Sequence, residues 1–257
     1  MTKATRPLFV IIEREFARFV SQRTRLISAL IRPLFWLFVV AAGIKSMTTG
    51  EAQPAYLNEQ PYDVYVVPGL LAMMCLFNGM QSSLAMVYDR ESGAMKVLMT
   101  APLSHVRALI FKLVAVTLVS LIQTYLFIAI AITTGVNLSW TAALTALPAI
   151  TLTAFSLSLY GLILASRFRG LENFAGVMNF VIFPTFFLSS ALYPLDQLRA
   201  SNELIYWVSV ANPFTHLTEM IRFGLHGIAM TETGWIATIT LLILTPLAAN
   251  LFRLNLQ

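Results

Sequence analysis

LVAVTLVSLIQTYLFIAIAITTGVNLSWTAALTALPAITLTAFSLSLYGLILAS, residues 113–166, contains no Asp, Glu, Lys or Arg. A hydrocarbon core about 30 Å thick takes about 20 apolar residues of helix to cross. The stretch therefore holds two crossings with a turn between them. Gly135-Val136-Asn137-Leu138-Ser139-Trp140 supplies the turn, because Gly, Asn and Ser interrupt helix and Trp140 suits a bilayer interface. The chain reads as a polytopic membrane protein.

Composition outside this stretch agrees. The 257 residues are 58% hydrophobic and 11% charged, against about 25% charged in an ordinary soluble domain. That length suits a single membrane domain, 1–257, without a separate soluble catalytic domain. Further charge-free runs occupy 64–88, 173–194 and 233–252, and 26–46 is apolar around Arg32. The expectation is an all-α integral membrane protein with six crossings, at about 26–46, 64–88, 112–134, 142–166, 173–194 and 233–252.

An even number of crossings puts both termini on one side. If that side is cytoplasmic, every basic residue except Lys45, Arg199 and Arg222 falls inside, whereas five acids lie inside and seven outside. Basic residues rather than net charge set orientation, so both termini are expected in the cytoplasm. The net charge of +5 then reflects insertion and not a nucleic-acid partner. Residues 1–25 lack the long apolar centre of a secretory signal. Leu8, Ile12, Phe16, Phe19 and Val20 form one stripe at helical spacing and Arg14, Arg18, Gln22 and Arg25 another. This is an amphipathic helix lying in the membrane surface, with or without a cytoplasmic partner. Arg32, beside Pro33, is expected to snorkel to the cytoplasmic interface.

Two segments are more than connectors. Residues 89–104 open charged, place Met95, Leu98 and Met99 on one helical face, and stop at Ala101-Pro102, with Ser104 free to cap the next helix. Residues 193–232, on the outer side, contain Asn212-Pro213, an N-cap followed by Pro at the first helical position. Phe214, Leu217, Ile221 and Leu225 then share one face, and His216, Glu219 and Arg222 another, with Glu219 and Arg222 spaced for an ion pair. Gly224 and Gly227 end or loosen the helix. At about 15 residues it is too short to cross and reads as re-entrant or interfacial.

No G-x-x-x-x-G-K-[ST] loop is present; Gly43-Ile44-Lys45-Ser46 is a fragment lacking the first glycine. Energy must come from a partner subunit or an ion gradient. His105, His216 and His226 lack metal-ligand spacing, Cys75 sits in an apolar run as packing, and no nucleophilic or paired-carboxylate constellation assembles. No enzyme and no resident metal is expected. Asn78, Gln81, Gln123 and Asn179 are the polar residues within the spans, open to helix–helix hydrogen bonds or to substrate.

Glu91-x-Gly93 with Leu98, Pro102 and Ser104 resembles the cytoplasmic loop of ABC-2 type export permeases. Phe187-Leu188-Ser189-Ser190-Ala191-Leu192-Tyr193-Pro194-Leu195 looks like that family's segment after the fifth helix, Asn212-Pro213 with Glu219 and Arg222 like its outer re-entrant segment, and Val67-Pro68-Gly69-Leu70 like part of its second helix. The resemblance covers nearly the whole chain. It implies a permease subunit of an ABC exporter in the bacterial plasma membrane, paired with a second permease copy or a paralogue. A cytoplasmic ATPase subunit would bind ATP and Mg, and this chain would hold no cofactor. Arg90, Glu91, Gly93, Met95, Leu98, Met99 and Pro102 would form a coupling helix seated on the ATPase. Phe77, Asn78, Gln81, Asn179, Phe183 and Phe187 would line the substrate path. An amphipathic or hydrophobic substrate, drug-like or lipid, is expected, with lipid-linked polysaccharide as the alternative. An ion-driven carrier fits less well, since such carriers place acids at the membrane midplane and the six runs contain none.

Overall fold

The computed structural model describes residues 6–21, 23–41, 43, 61–93, 105–168, 170–228, 234, 236, 239 and 243. Among them the chain is all helical. The helices are α1 (Arg6–Ser21), α2 (Arg23–Phe35), α3 (Tyr62–Glu91), α4 (His105–Thr133), α5 (Trp140–Thr145), α6 (Leu147–Ser166), α7 (Leu171–Phe187), α8 (Leu195–Ser201), α9 (Glu203–Ala211) and α10 (Pro213–Leu225); a π-helical turn, Trp36–Ala41, continues α2. Among the described residues, three stretches are long and apolar enough to cross a membrane: Tyr62–Glu91, Val106–Thr133 and Leu147–Ser166. The crossing expected at 233–252 lies outside the described residues, apart from four isolated positions.

Helix α3 is the axis of the fold. It packs against α2, α4, α6, α7 and α10, most extensively against α6. Residues 66–80 are buried without interruption, so α3 lacks a polar face because it lacks a free face. Close approach to α6 requires Gly79, where a Cβ would lie 2.8 Å from the Leu157 carbonyl oxygen and from the Ser158 Cα. Small residues let two backbones meet in this way where lipid offers no hydrophobic drive to association.

The turn at 134–139 forms as expected, with Gly135 at φ 94° and the Ser139 hydroxyl accepting from the Ala142 N–H. The next crossing is not one helix over 142–166. It is broken at Ala146 into α5 and α6, and Pro148 occupies the first turn of α6, where its missing N–H costs nothing.

Helix α7 departs further from expectation. Predicted over 173–194, it stops at Phe187, and its 17 residues span about 25 Å. Residues 188–194 turn instead, and side chains distant in sequence satisfy their carbonyls. Tyr62 Oη donates to Leu192 O and Tyr65 Oη to Ser190 O, each at 3.1 Å, while Arg222 Nη2 donates to Ser190 O at 3.0 Å. Non-helical backbone is tolerated at membrane depth only when protein supplies such partners.

Arg32 does not snorkel to the end of the molecule. Its Cζ stands 3.7 Å from the centroid of the Phe77 ring, near the midpoint of α3. A desolvated cation–π contact of about 2 kcal/mol offsets much of the 2.5–3.5 kcal/mol or so that an Arg costs in mid-membrane on insertion scales.

Candidate functional site

At the Glu91 end of α3, three consecutive residues hold three different elements. Arg14 of α1 donates to the Asp89 carboxylate at 3.0 Å. Arg90 donates to the Phe168 carbonyl in the α6–α7 turn. Glu91 accepts the Leu171 N–H, at the first residue of α7, at 3.3 Å. A carboxylate at a helix N-terminus occupies an orphan donor and meets the positive end of the helix dipole, worth about 0.3–1 kcal/mol at an exposed site. Immediately afterwards α3 unwinds, and Gly93 takes φ 76°, a conformation side chains disfavour. Met95, Leu98, Met99, Pro102 and Ser104 lie outside the described residues. Arg90 and Glu91 bond to the α6–α7 turn and the start of α7.

The residues expected to line a path divide into two groups. Phe77 and Asn78 are buried, and the Asn78 amide donates to Gln123 of α4. Of the two roles open to Asn78, the helix–helix bond is the one made, worth about 1 kcal/mol. Gln81 is half-buried. Asn179, Phe183 and Phe187 share the exposed face of α7 with Phe180, which is 78% exposed. Phe183 and Phe187 stack with centroids 6.3 Å apart, and Phe187 meets the edge of Trp36 at 5.9 Å. On the opposite face of α7, Phe174, Met178, Ile182 and Phe186 are buried.

At the Tyr62 end, α10 is held by a local signal and a long-range one. Asn212 caps it through Oδ1, accepting from the Phe214 N–H at 3.0 Å, and Pro213 opens the helix. The same amide donates through Nδ2 to Thr185 O and Leu188 O, each at 2.7 Å, and so closes the C-terminus of α7. Phe214, Leu217, Ile221 and Leu225 form the buried face, as their spacing predicts. Glu219 and Arg222 form the expected ion pair, with side chains only 16% and 15% exposed, and the guanidinium lies 4.1 Å over the Tyr65 ring. His216 Nε2 donates to Val210 O at 2.9 Å, a structural bond. Gly224 does not loosen the helix; it lets α10 meet Ala146 and Ala149, and Gly227, at φ 73°, follows its end. Tyr65, Asn137, Ser139, Arg222 and His226 contribute to the lining of a cavity of about 380 Å³ beside α10.

Sequence reasoning missed Trp36, Tyr62, Tyr65 and the second role of Asn212. The tyrosines carried one available signal: two hydroxyls three residues apart in an apolar run need acceptors. Among the described residues, no group of three or more His, Cys, Asp or Glu could hold a metal ion.

Comparison with known proteins gives these features a family. The model of the ABC-2 type transporter family matches residues 6–226. The ycf38 protein of Cyanophora paradoxa, named as a transport permease, is 25% identical over 248 residues, covering 95% of this chain and 81% of that protein. The ycf38 protein of Porphyra purpurea is 24% identical over 215 residues, 83% of this chain and 72% of that protein. YbhR of Escherichia coli K12, named as a multidrug ABC transporter permease, is 29% identical over 164 residues, 62% of this chain and 44% of that protein. The helical architecture, the apolar crossings and the family match over most of the chain agree, and this protein belongs to the ABC-2 type transporter family of membrane permeases.

Proposed function

We propose that this chain is the permease subunit of an ABC exporter. It crosses the plasma membrane six times with both termini in the cytoplasm, works as a dimer with a second copy or a paralogue, and moves an amphipathic or hydrophobic molecule out of the cytoplasm or inner leaflet. Energy comes from ATP and Mg on a separate cytoplasmic ATPase, which the family implies as the partner. Residues 89–104 are the contact with that ATPase, and Asn179, Phe183 and Phe187 on α7 meet the substrate.

The observation that carries this reading is the junction at Asp89-Arg90-Glu91. It stands where the 94–104 segment leaves α3, and it grips α1, the α6–α7 turn and the start of α7. A push delivered to that segment would reach α7 through Glu91 and α1 through Asp89. Glu91, at the start of the 89–104 segment, is then also a positioning residue for α7. The test is purification of the tagged chain in mild detergent from its host. An ATPase subunit co-purifying with vanadate-sensitive activity is the expected result. Its absence while the permease stays monodisperse would overturn the reading.

A further inference from the structure

Arg32 is a cation in an apolar run with no carboxylate partner among the described residues. Its guanidinium rests on the Phe77 ring, which meets the positive charge but leaves the N–H donors, which lie in the guanidinium plane, without a lone pair. The only contact that Arg32 makes with the described residues through its charged group is this one. Along α3 the nearest acids to Phe77 are Asp63 and Asp89, about 21 Å and about 18 Å away at 1.5 Å per residue. The other apolar runs contain no acid either. Among the described residues, no carboxylate pairs with Arg32. Arg32 is nonetheless partly exposed, on a helix whose adjacent Ile31 and Phe35 are open at 58% and 57%. An ionisable residue kept inside a membrane protein marks a path for ligand or ion, and a guanidinium fork matches a carboxylate or a phosphate in bidentate geometry.

We propose that Arg32, backed by Phe77, is the anion-recognition point of the transport path, so that the substrate is an amphiphile with one anionic group, a carboxylate or a phosphate monoester or diester. This rests on the exporter reading above and adds the class of substrate to it. Trp36 lies one turn along the same helix and touches Phe187 of the exposed α7 face. The anion point and the aromatic face are thus linked by adjacent side chains, as an amphiphile with a charged head and an apolar tail requires.

The test uses the full chain in phosphatidylcholine nanodiscs with three matched fluorescent probes: dodecanoate, dodecanol and dodecyl-trimethylammonium, each carrying the same label. Wild type should bind the dodecanoate about tenfold more tightly than the neutral probe, the effect of one charge-assisted bidentate contact. Arg32→Gln should bind the anionic and neutral probes alike, and Arg32→Lys should keep part of the preference. Equal binding of the three probes by wild type, or a preference that survives Arg32→Gln, overturns the proposal, and the wild-type result stands even if a variant fails to fold. Adding phosphatidylglycerol separates the sources of the anion. Competition assigns the point to a lipid headgroup and no competition to a free amphiphile; both keep the anionic class. ATP-driven movement of the neutral probe without any anion preference would sink this proposal and leave the exporter reading intact. Anion preference with no ATPase partner would do the reverse.

Discussion

Helix α7 begins on one exposed carboxylate, Glu91, which holds the Leu171 N–H at 3.3 Å. It ends in a largely shielded web, where Asn212 takes two of its last carbonyls at 2.7 Å and Tyr62, Tyr65 and Arg222 hold the turn that follows. The first attachment is worth a fraction of a kcal/mol and exchanges readily with water. The second combines one buried and several part-buried hydrogen bonds with a shielded ion pair, each costly to break with one partner left behind. The polar attachments of the helix are thus stronger at one end, the fixed end, than at the other, the light end. In the exporter reading the light end lies beside the ATPase contact, and the fixed end carries the outer segment.

Breaking the fixed end should have the largest effect on stability. Arg222→Met leaves the partly buried Glu219 unpaired and removes a donor from Ser190. It should cost about 3 kcal/mol, read as a lower unfolding temperature in detergent, and Arg222→Met with Glu219→Met should recover most of it. Little loss in the single variant would mean the web is solvated. Asn212→Ala removes a helix cap and two bonds to α7 together and should cost about 2–4 kcal/mol by the same measurement. A cost under about 1 kcal/mol would reduce Asn212 to an ordinary cap.

The light end sharpens the contrast. Glu91→Gln should shift stability by no more than about 1 kcal/mol while lowering transport severalfold at unchanged ATP hydrolysis. Equal loss of transport and of folded protein would make Glu91 merely structural. The smallest stability effect is expected on the open α7 face. Asn179→Leu should leave unfolding within about 0.5 kcal/mol yet alter which compounds are exported, and an unchanged export profile would remove Asn179 from the path.

How far residues speak for themselves depends on how local their partners are. The break at Gly135–Trp140, the Asn212-Pro213 start of α10, its apolar face and the Glu219–Arg222 pair were legible because cap, period and partner all lie within four residues. The early stop of α7 was not. Its run is apolar to Leu195, and the side chains that make the turn affordable come from α3 and α10, far away in sequence. Arg32 failed for a similar reason: periodicity places it on a helix but not beside Phe77. The partners of Arg90 and Glu91, at Phe168 and Leu171, are backbone groups that no side-chain pattern announces.

The central claim is that work done by a separate ATPase enters through the Glu91 end of α3. It is tested most directly in proteoliposomes containing the permease with its co-purified ATPase, comparing wild type with Glu91→Lys for ATP hydrolysis and for ATP-dependent transport in the same vesicles. The account predicts hydrolysis near the wild-type rate with transport largely lost, because a cation at the start of α7 repels the helix end that Glu91 holds. Transport that continues at the wild-type rate would contradict it.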